Sequence, residues 1–333
     1  MQPGLDLGII GAGAWGMALA AVGARAGNRV LVWSRRSEVA QRINVGRRHA
    51  SIPEAVPLEA AVRATTEPAE FAVLDAVIYA APAQAMRESL GLFAPFIGER
   101  VPLIIAAKGM ERATGRLLTE VRDEVCAHAR PFVLSGPSFA LDVIMGRPAA
   151  VALAGATLEE AAELAARLSV PAFRIYAGDD LPGVALAGAV KNVLAIACGI
   201  AEGRGLGDSA RAALTTRAFA ELMRFGQAMG GKPLTLTGLA GLGDLILTCS
   251  SLQSRNFSFG VRLGRGETAA AVAAQSATVE GVHTARAVVD HARRRKLDLP
   301  ICETVVDILE GEATVDGAIA RLLARPLRIE ITE

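Results

Sequence analysis

The chain has 333 residues, 52% of them hydrophobic, with 35 basic and 34 acidic side chains and a formal net charge of +1. That length and apolar content supply more than one hydrophobic core, so two domains are expected, while the charge balance argues against nucleic acid or a lipid surface as the main partner. Four widely separated cysteines, Cys126, Cys198, Cys249 and Cys302, exclude a disulfide framework or zinc knuckle, and His49, His128, His283 and His291 lack metal-ligand spacing, so no metal is expected.

No basic segment with an apolar stretch precedes the first strand, which points to a cytoplasmic protein. The first half then alternates short apolar segments, residues 5–10, 29–33, 76–80, 102–106, 132–134, 149–153 and 173–176, with helical stretches over 17–26, 83–93, 116–127 and 158–168. Such alternation predicts a doubly wound, mainly parallel sheet. Directly after the first strand stands Gly11-Ala12-Gly13-Ala14-Trp15-Gly16, a G-x-G-x-x-G loop between strand and helix. Gly11 permits the tight turn, Gly13 lets a pyrophosphate approach the backbone, and Gly16 lets the helix pack against the strand. The loop therefore predicts a dinucleotide site and a nicotinamide-dependent oxidoreductase. Where an NAD-preferring unit carries an acid, the second strand ends in Ser34-Arg35-Arg36. Two guanidinium groups and a hydroxyl suit a 2′-phosphate, which predicts NADPH as the preferred cofactor and NADH as the alternative.

Two later segments put polar groups beyond strand ends, where ligands bind in open α/β sheets. One carries Lys108, and the other, residues 134–140, carries Gly136 and Ser138, which can line a small polar substrate. Taken alone, Lys108 fits a surface lysine and Ser138 a turn or helix cap equally well.

At Asp179-Asp180-Leu181-Pro182 the texture changes to Ala- and Leu-rich stretches, which predicts a dinucleotide-binding domain over 1–180 and an all-α domain over 181–333. Residues 184–201 are apolar enough to suggest a membrane span, yet Lys191 and Asn192 lie near their middle, so a buried helix is expected. A lysine there is desolvated and its pKa moves toward the range useful for proton transfer; the bland alternative is an amine that snorkels to solvent. Asp244 is a single carboxylate among small and apolar residues that can tune a lysine, and Ser254-Arg255-Asn256 suits a substrate phosphate. Helix capping by Asp244 and a structural salt bridge for Arg255 are the alternatives.

Six segments occur in one order: GAGAWG (11–16), AAKGME (106–111), LSGPSFA (134–140), GAVKNVLAIACGIAEG (188–203), and GLAGLGDLILTC (238–249) followed by SRNFSFG (254–260). Together they resemble the NAD(P)-dependent glycerol-3-phosphate dehydrogenases of bacterial type, from about residue 7 to residue 281. The resemblance implies a Rossmann-type N-terminal domain, an all-α C-terminal domain and a substrate cleft between them. It implies that Lys191 is the general acid/base, that Lys108 touches both cofactor and substrate, and that Gly136, Ser138, Asp244, Ser254, Arg255 and Asn256 surround glycerol phosphate. By the same resemblance, Ala14, Trp15, Arg35, Arg36, His49, Ala140, Arg255, Thr278 and Glu280 lie on the cofactor side. The expected activity is reversible reduction of dihydroxyacetone phosphate to sn-glycerol 3-phosphate for phospholipid synthesis, with another two-domain hydroxyacid or ketoacid dehydrogenase as the alternative. The sequence departs from the family pattern at Asp142, Ala185 and Ser209, and it leaves the oligomeric state open, a homodimer being one reading.

Overall fold

Alternate side chains along the N-terminal strands enter two different cores. In the computed structural model, which describes residues 3–54, 56–275 and 278–326, Leu7, Ile9, Val30, Val32, Ile78 and Ile104 face one side, and Ile10, Leu31, Val77, Tyr79, Leu103 and Ile105 face the other. The extreme residues of both expected domains, 1–2 and 327–333, lie outside the described chain. A strand buried on both faces needs helices above and below it, and the chain supplies them in alternation. The elements run β1 (Asp6–Ile10), α1 (Ala14–Arg25), β2 (Arg29–Trp33), α2 (Ser37–Gly46), β3 (Val62–Thr65), β4 (Ala76–Tyr79), α3 (Met86–Phe93), β5 (Pro102–Ile105), α4 (Leu118–Val125), β6 (Arg130–Ser135), α5 (Ala140–Ile144), β7 (Ala149–Ala154), α6 (Leu158–Leu168) and β8 (Phe173–Gly178).

The eight strands form one sheet in the order β3-β2-β1-β4-β5-β6-β7-β8, parallel throughout except where β7 runs antiparallel to β6. The doubly wound, mainly parallel sheet expected from the sequence is thus present. Strand β3 was not anticipated: four residues at the sheet edge carry too little pattern, and only the pairing of Val30 with Val62 through Trp33 with Thr65 defines it. Helix α1 begins at Ala14 rather than at Met17, because Gly13 already occupies the N-cap and the last residues of the glycine loop are helical. The stretch from Ala83 opens with a 3₁₀ turn, Ala83–Ala85, before α3.

The remaining described chain is helical: α7 (Leu181–Gly203), α8 (Asp208–Ala228), α9 (Pro233–Thr237), a π-helical turn Leu239–Gly243, α10 (Asp244–Thr248), α11 (Arg255–Gly264), α12 (Ala269–Gln275), α13 (Glu280–Arg294), α14 (Pro300–Glu310) and α15 (Val315–Leu323). Asp180 caps α7 by accepting from Gly183 N at 2.9 Å, and Pro182 lies in its first turn, where a missing N–H is harmless. By length and composition α7 passes for a membrane span, yet 89% of its most apolar window is buried inside the protein. Its neighbours include α8, α10, α11, α13, α14 and strand β6, so its apolar residues join the core on one face of the sheet to that of the helical region.

Against α11 the approach is backbone to backbone. A Cβ at Gly199 would lie 2.1 Å from Phe257 O, one at Gly260 would lie 2.1 Å from Ile196 O, and Gly203 and Gly264 form the next such pair. Only glycine allows helices this close, and the crossing sets where the N-terminus of α11 falls beside α7.

Glu221 on α8 is buried and accepts from Ile301 N at 2.7 Å and Cys302 N at 3.1 Å, capping α14 from a neighbouring helix. Burial pushes its carboxyl up to about 7, against the pull of those two N–H groups. A folded-state value above that of the unfolded chain means an extra bound proton on folding, so this group's contribution to stability falls as pH rises toward about 7. Thermal melts over that range should therefore show a Tm decline that Glu221→Gln flattens. Equal slopes in the two proteins would show that this carboxyl does not titrate there.

Candidate active site

The strand order reverses between β1 and β4, where open α/β sheets form a crevice beyond the carboxyl ends of their strands. The turn after β1 places Gly11 at φ +115°, a conformation glycine adopts without strain, and a Cβ there would lie 2.6 Å from Ala81 N beyond β4. A Cβ at Gly16 would lie 1.9 Å from Gly11 O, whereas one at Gly13 would meet nothing within 4 Å. The loop is therefore tight against the protein at Gly11 and Gly16 and open at Gly13. Helix α1 begins there with no side-chain cap and no acid in its first turn, so its N-terminal amides remain available to an anion. Trp15 Nε1 is buried without a partner, and its ring packs near Phe173. These features fit the pyrophosphate of a dinucleotide.

Beyond β2, Ser34 is buried and its Oγ accepts from Arg36 N at 3.2 Å, so the hydroxyl expected to meet a phosphate holds the turn instead. Arg35 and Arg36 are exposed, and neither side chain has a hydrogen bond or ion pair among the described residues. His49 stands half-buried nearby with Nδ1 2.7 Å from Ser51 Oγ. Burial holds its imidazole below the usual histidine range; a bond to the Ala12 backbone acts upward, and Arg36 and Arg42 act downward.

On the other side of the crevice, the sheet and the helical region meet at one carboxylate. Lys191, 6% exposed on α7, donates from Nζ to Asp244 Oδ1 at 2.5 Å and to Thr248 Oγ1 at 2.8 Å. Lys108, beyond β5, donates to Asp244 Oδ2 at 2.7 Å and to Gly136 O at 3.2 Å. Asp244, 1% exposed at the start of α10, thus accepts one ammonium on each oxygen. Burial lowers the Lys191 amine to about 8; Asp244 draws it upward and the Lys108 charge pushes it further down. For Asp244, burial acts upward, and the charges and hydrogen bonds of both lysines overcome it, leaving the carboxyl below its usual range. The alternative of a snorkelling Lys191 amine is excluded by this geometry.

A second polar chain leads from Lys191 back toward the sheet. Asn256 Nδ2 donates to Asn192 Oδ1 at 2.9 Å, and Asn256 Oδ1 accepts from Gly281 N at 2.9 Å. The preceding residue, Glu280, accepts from Ala83 N at 3.0 Å while its Oε2 is buried and unpartnered. Burial raises the Glu280 carboxyl; the Ala83 bond and Arg255 lower it. Ser254 caps α11 through Phe257 N at 3.2 Å, and Arg255 is exposed at that helix start with no ion pair among the described residues. Ser138 donates to Gly136 O at 3.0 Å, Ala140 opens α5, and Thr278 is exposed just ahead of α13.

The residues of the predicted substrate set are therefore gathered around the crevice, while Arg35, Arg36 and His49 form a separate group beyond β2. Asp142 lies off the crevice, paired with Arg147 at 2.7 Å, and Ser209 is exposed on α8. Sequence reasoning missed Thr248, although its position one helical turn after Asp244 was a usable signal. Ser135, buried at the end of β6 with an unpartnered Oγ facing Gly188, carried no such signal.

Two family models match the chain: the NAD-dependent glycerol-3-phosphate dehydrogenase N-terminus over residues 6–161 and the corresponding C-terminus over residues 180–320. A glycerol-3-phosphate dehydrogenase [NAD(P)+] of Parvibaculum lavamentivorans is 50% identical over 97% of this chain and 98% of its own. The crystal structure of glycerol-3-phosphate dehydrogenase from Coxiella burnetii superposes with a TM-score of 0.90 at 36% identity, covering 97% of this chain and 99% of that one. A ketopantoate reductase from Ralstonia eutropha shares the fold alone, with a TM-score of 0.59 at 16% identity over 94% and 99% of the two chains.

Removing the Asp244 charge leaves the buried Lys191 ammonium and the partly buried Lys108 ammonium without their counter-ion. Asp244→Asn should lower the Lys191 pKa below its value of about 8 and destabilise the fold by roughly 3–5 kcal/mol. Lysine-selective NMR titration and denaturant melts measure the two effects, and an unchanged Lys191 titration would contradict the pairing.

Proposed function

The chain belongs to the NAD-dependent glycerol-3-phosphate dehydrogenase family, and on that premise we propose that it interconverts dihydroxyacetone phosphate and sn-glycerol 3-phosphate with NADPH as its preferred cofactor. The observation that carries the reading is the Lys191–Asp244–Lys108 cluster, in which a buried amine with a pKa near 8 stands beside a fixed carboxylate and a second ammonium.

Gly11, Gly13, Ala14, Trp15 and Gly16 at the start of α1, together with Ala140, Thr278 and Glu280, would hold the dinucleotide. The bound dinucleotide supplies the hydride in reduction and accepts it in oxidation. Lys191 gives its proton to the oxygen developing on carbon 2 of the ketone and takes it back from the hydroxyl in the reverse direction. Lys108 stabilises negative charge on that oxygen, and Asp244 and Thr248 hold the Lys191 amine in place. Gly136 and Ser138 line the substrate, and Ser254, Arg255 and Asn256 at the start of α11 take its phosphate, so that binding energy at the far end orients the reacting carbon.

The preference for NADPH is supported by the guanidinium groups of Arg35 and Arg36 at the end of β2, which have no partner among the described residues. The same reading assigns the product to phospholipid synthesis in the cytoplasm. Four free, buried thiols support a reducing compartment. A homodimer is the assembly we propose, for which sedimentation is the direct measurement.

Steady-state assays test each part. Dihydroxyacetone phosphate should be reduced and small ketoacids not; turnover of ketoacids alone would overturn the assignment. Ketone reduction needs protonated Lys191, so its rate should fall as pH rises through about 8, whereas oxidation should rise through the same range. Lys191→Ala should cost on the order of a hundred-fold or more in kcat. Arg35→Asp should reduce efficiency with NADPH far more than with NADH, and equal efficiency of the wild type with both would contradict the cofactor preference.

A further inference from the structure

Lys108 stands in the long turn between β5 and α4, residues 106–117, and its place beside Asp244 depends on what holds that turn. Gly109 follows it at φ +156°, and a Cβ there would lie 3.1 Å from Ala83 Cβ and 3.2 Å from Thr284 Oγ1. The turn is wedged at that point between the segment after β4 and helix α13.

Helix α13 meets the turn along one face. Glu280, Thr284, Ala287 and His291 have the spacing of one side of a helix. Thr284, 0% exposed, accepts from Met110 N at 3.3 Å. His291 Nε2 lies 2.8 Å from Gly115 O, and its Nδ1 lies 3.2 Å from Arg295 Nη1. A guanidinium can only donate, so Nδ1 accepts and Nε2 carries the proton given to Gly115 O. The start of the same helix is fixed against α7. Gly281 N donates to Asn256 Oδ1 at 2.9 Å, and a Cβ at Gly281 would lie 2.5 Å from the carbonyl oxygen of Asn192, the residue after Lys191. One helix therefore touches both the turn that carries Lys108 and the helix that carries Lys191.

We propose that Thr284 is a positioning residue for the reaction: its hydroxyl holds Met110 N, just beyond Lys108, so that the Lys108 ammonium stays on Asp244 opposite Lys191, with the His291–Gly115 bond as a second hold on the same turn. Gln84 and Arg87 grip the turn from its other side, at Met110 O, Arg112 N and Glu111, but they belong to the sheet's own segment and set no distance to α7. Without the Thr284 hydroxyl, the Met110 N–H loses its acceptor in a buried place and the turn shifts to find another. The proposal rests on the role given to Lys108 above, but its first test needs no substrate.

Burial lowers the Lys191 amine to about 8; Asp244 and Cys249 act on it upward and Lys108 downward. Displacing Lys108 removes a downward influence and leaves Asp244 more fully to Lys191. Thr284→Val, which keeps the shape and loses the hydroxyl, should therefore raise the Lys191 midpoint in a lysine-selective NMR titration by roughly half a unit. Thr284→Ser, which restores the acceptor, should return the midpoint to the wild-type value, and His291→Leu should raise it by a smaller amount. With dihydroxyacetone phosphate, Thr284→Val should lower kcat/KM by about ten-fold and move the fall in reduction rate to higher pH, while Thr284→Ser stays close to wild type. Should Thr284→Val not fold, His291→Leu, altered at the partly buried far end of the face, carries the titration. An unmoved Lys191 midpoint in the variant titrated, or equal losses in Thr284→Val and Thr284→Ser, would overturn the proposal. A wild type that does not turn over dihydroxyacetone phosphate, with the midpoint still raised in Thr284→Val and restored in Thr284→Ser, would uphold the Thr284 hold and remove the assigned reaction.

Discussion

One carboxylate held between two ammonium groups is the interaction on which the active region depends. Asp244 takes Lys191 on one oxygen and Lys108 on the other, so a residue from the helical region and one from the sheet are bound to the same group. Taking one amine and one carboxylate away from water, with a second amine partly withdrawn, is costly for each alone, and the triad persists because every member has a charged partner and a further polar contact. Gly136 O receives Lys108, and Thr248 receives Lys191. The same desolvation that makes the cluster expensive leaves Lys191 with a pKa near 8, where it can both hold and release a proton.

That cluster exists only because α7 can carry a lysine through an apolar core. The helix is wrapped by helices and the edge of β6, and its close crossing with α11 through Gly199 and Gly260 brings Asn256 within 2.9 Å of Asn192. A side chain at either glycine would separate the helices and move the Ser254–Asn256 turn away from Lys191. Packing at the crossing and chemistry at the site are thus one constraint, satisfied by residues without functional groups of their own.

The dinucleotide side follows a different logic. There the backbone offers an anion uncapped amides at the start of α1 and a glycine open to the crevice. Beyond β2 the side chains of Arg35 and Arg36 are exposed and have no hydrogen bond or ion pair among the described residues. Ser34 illustrates how the sequence misleads on this point: its hydroxyl suits a phosphate in composition, but the tight turn into α2 claims it.

Legible in the sequence were the strand–helix alternation, the glycine loop, the change of texture near Asp180 and the anomaly of Lys191 within an apolar helix, because each is a local pattern read over a few neighbouring residues. Asp244 was recognisable as an isolated acid, yet its two partners lie 53 and 136 residues away, and no local pattern records such distances. Strand β3 and the Asn192–Asn256 bond are likewise consequences of which segments come to lie side by side. Sequence alone determined the element types and the chemical groups available. Tertiary structure decided which of those groups are desolvated, paired or left free, because burial and pairing depend on neighbours that only folding brings together.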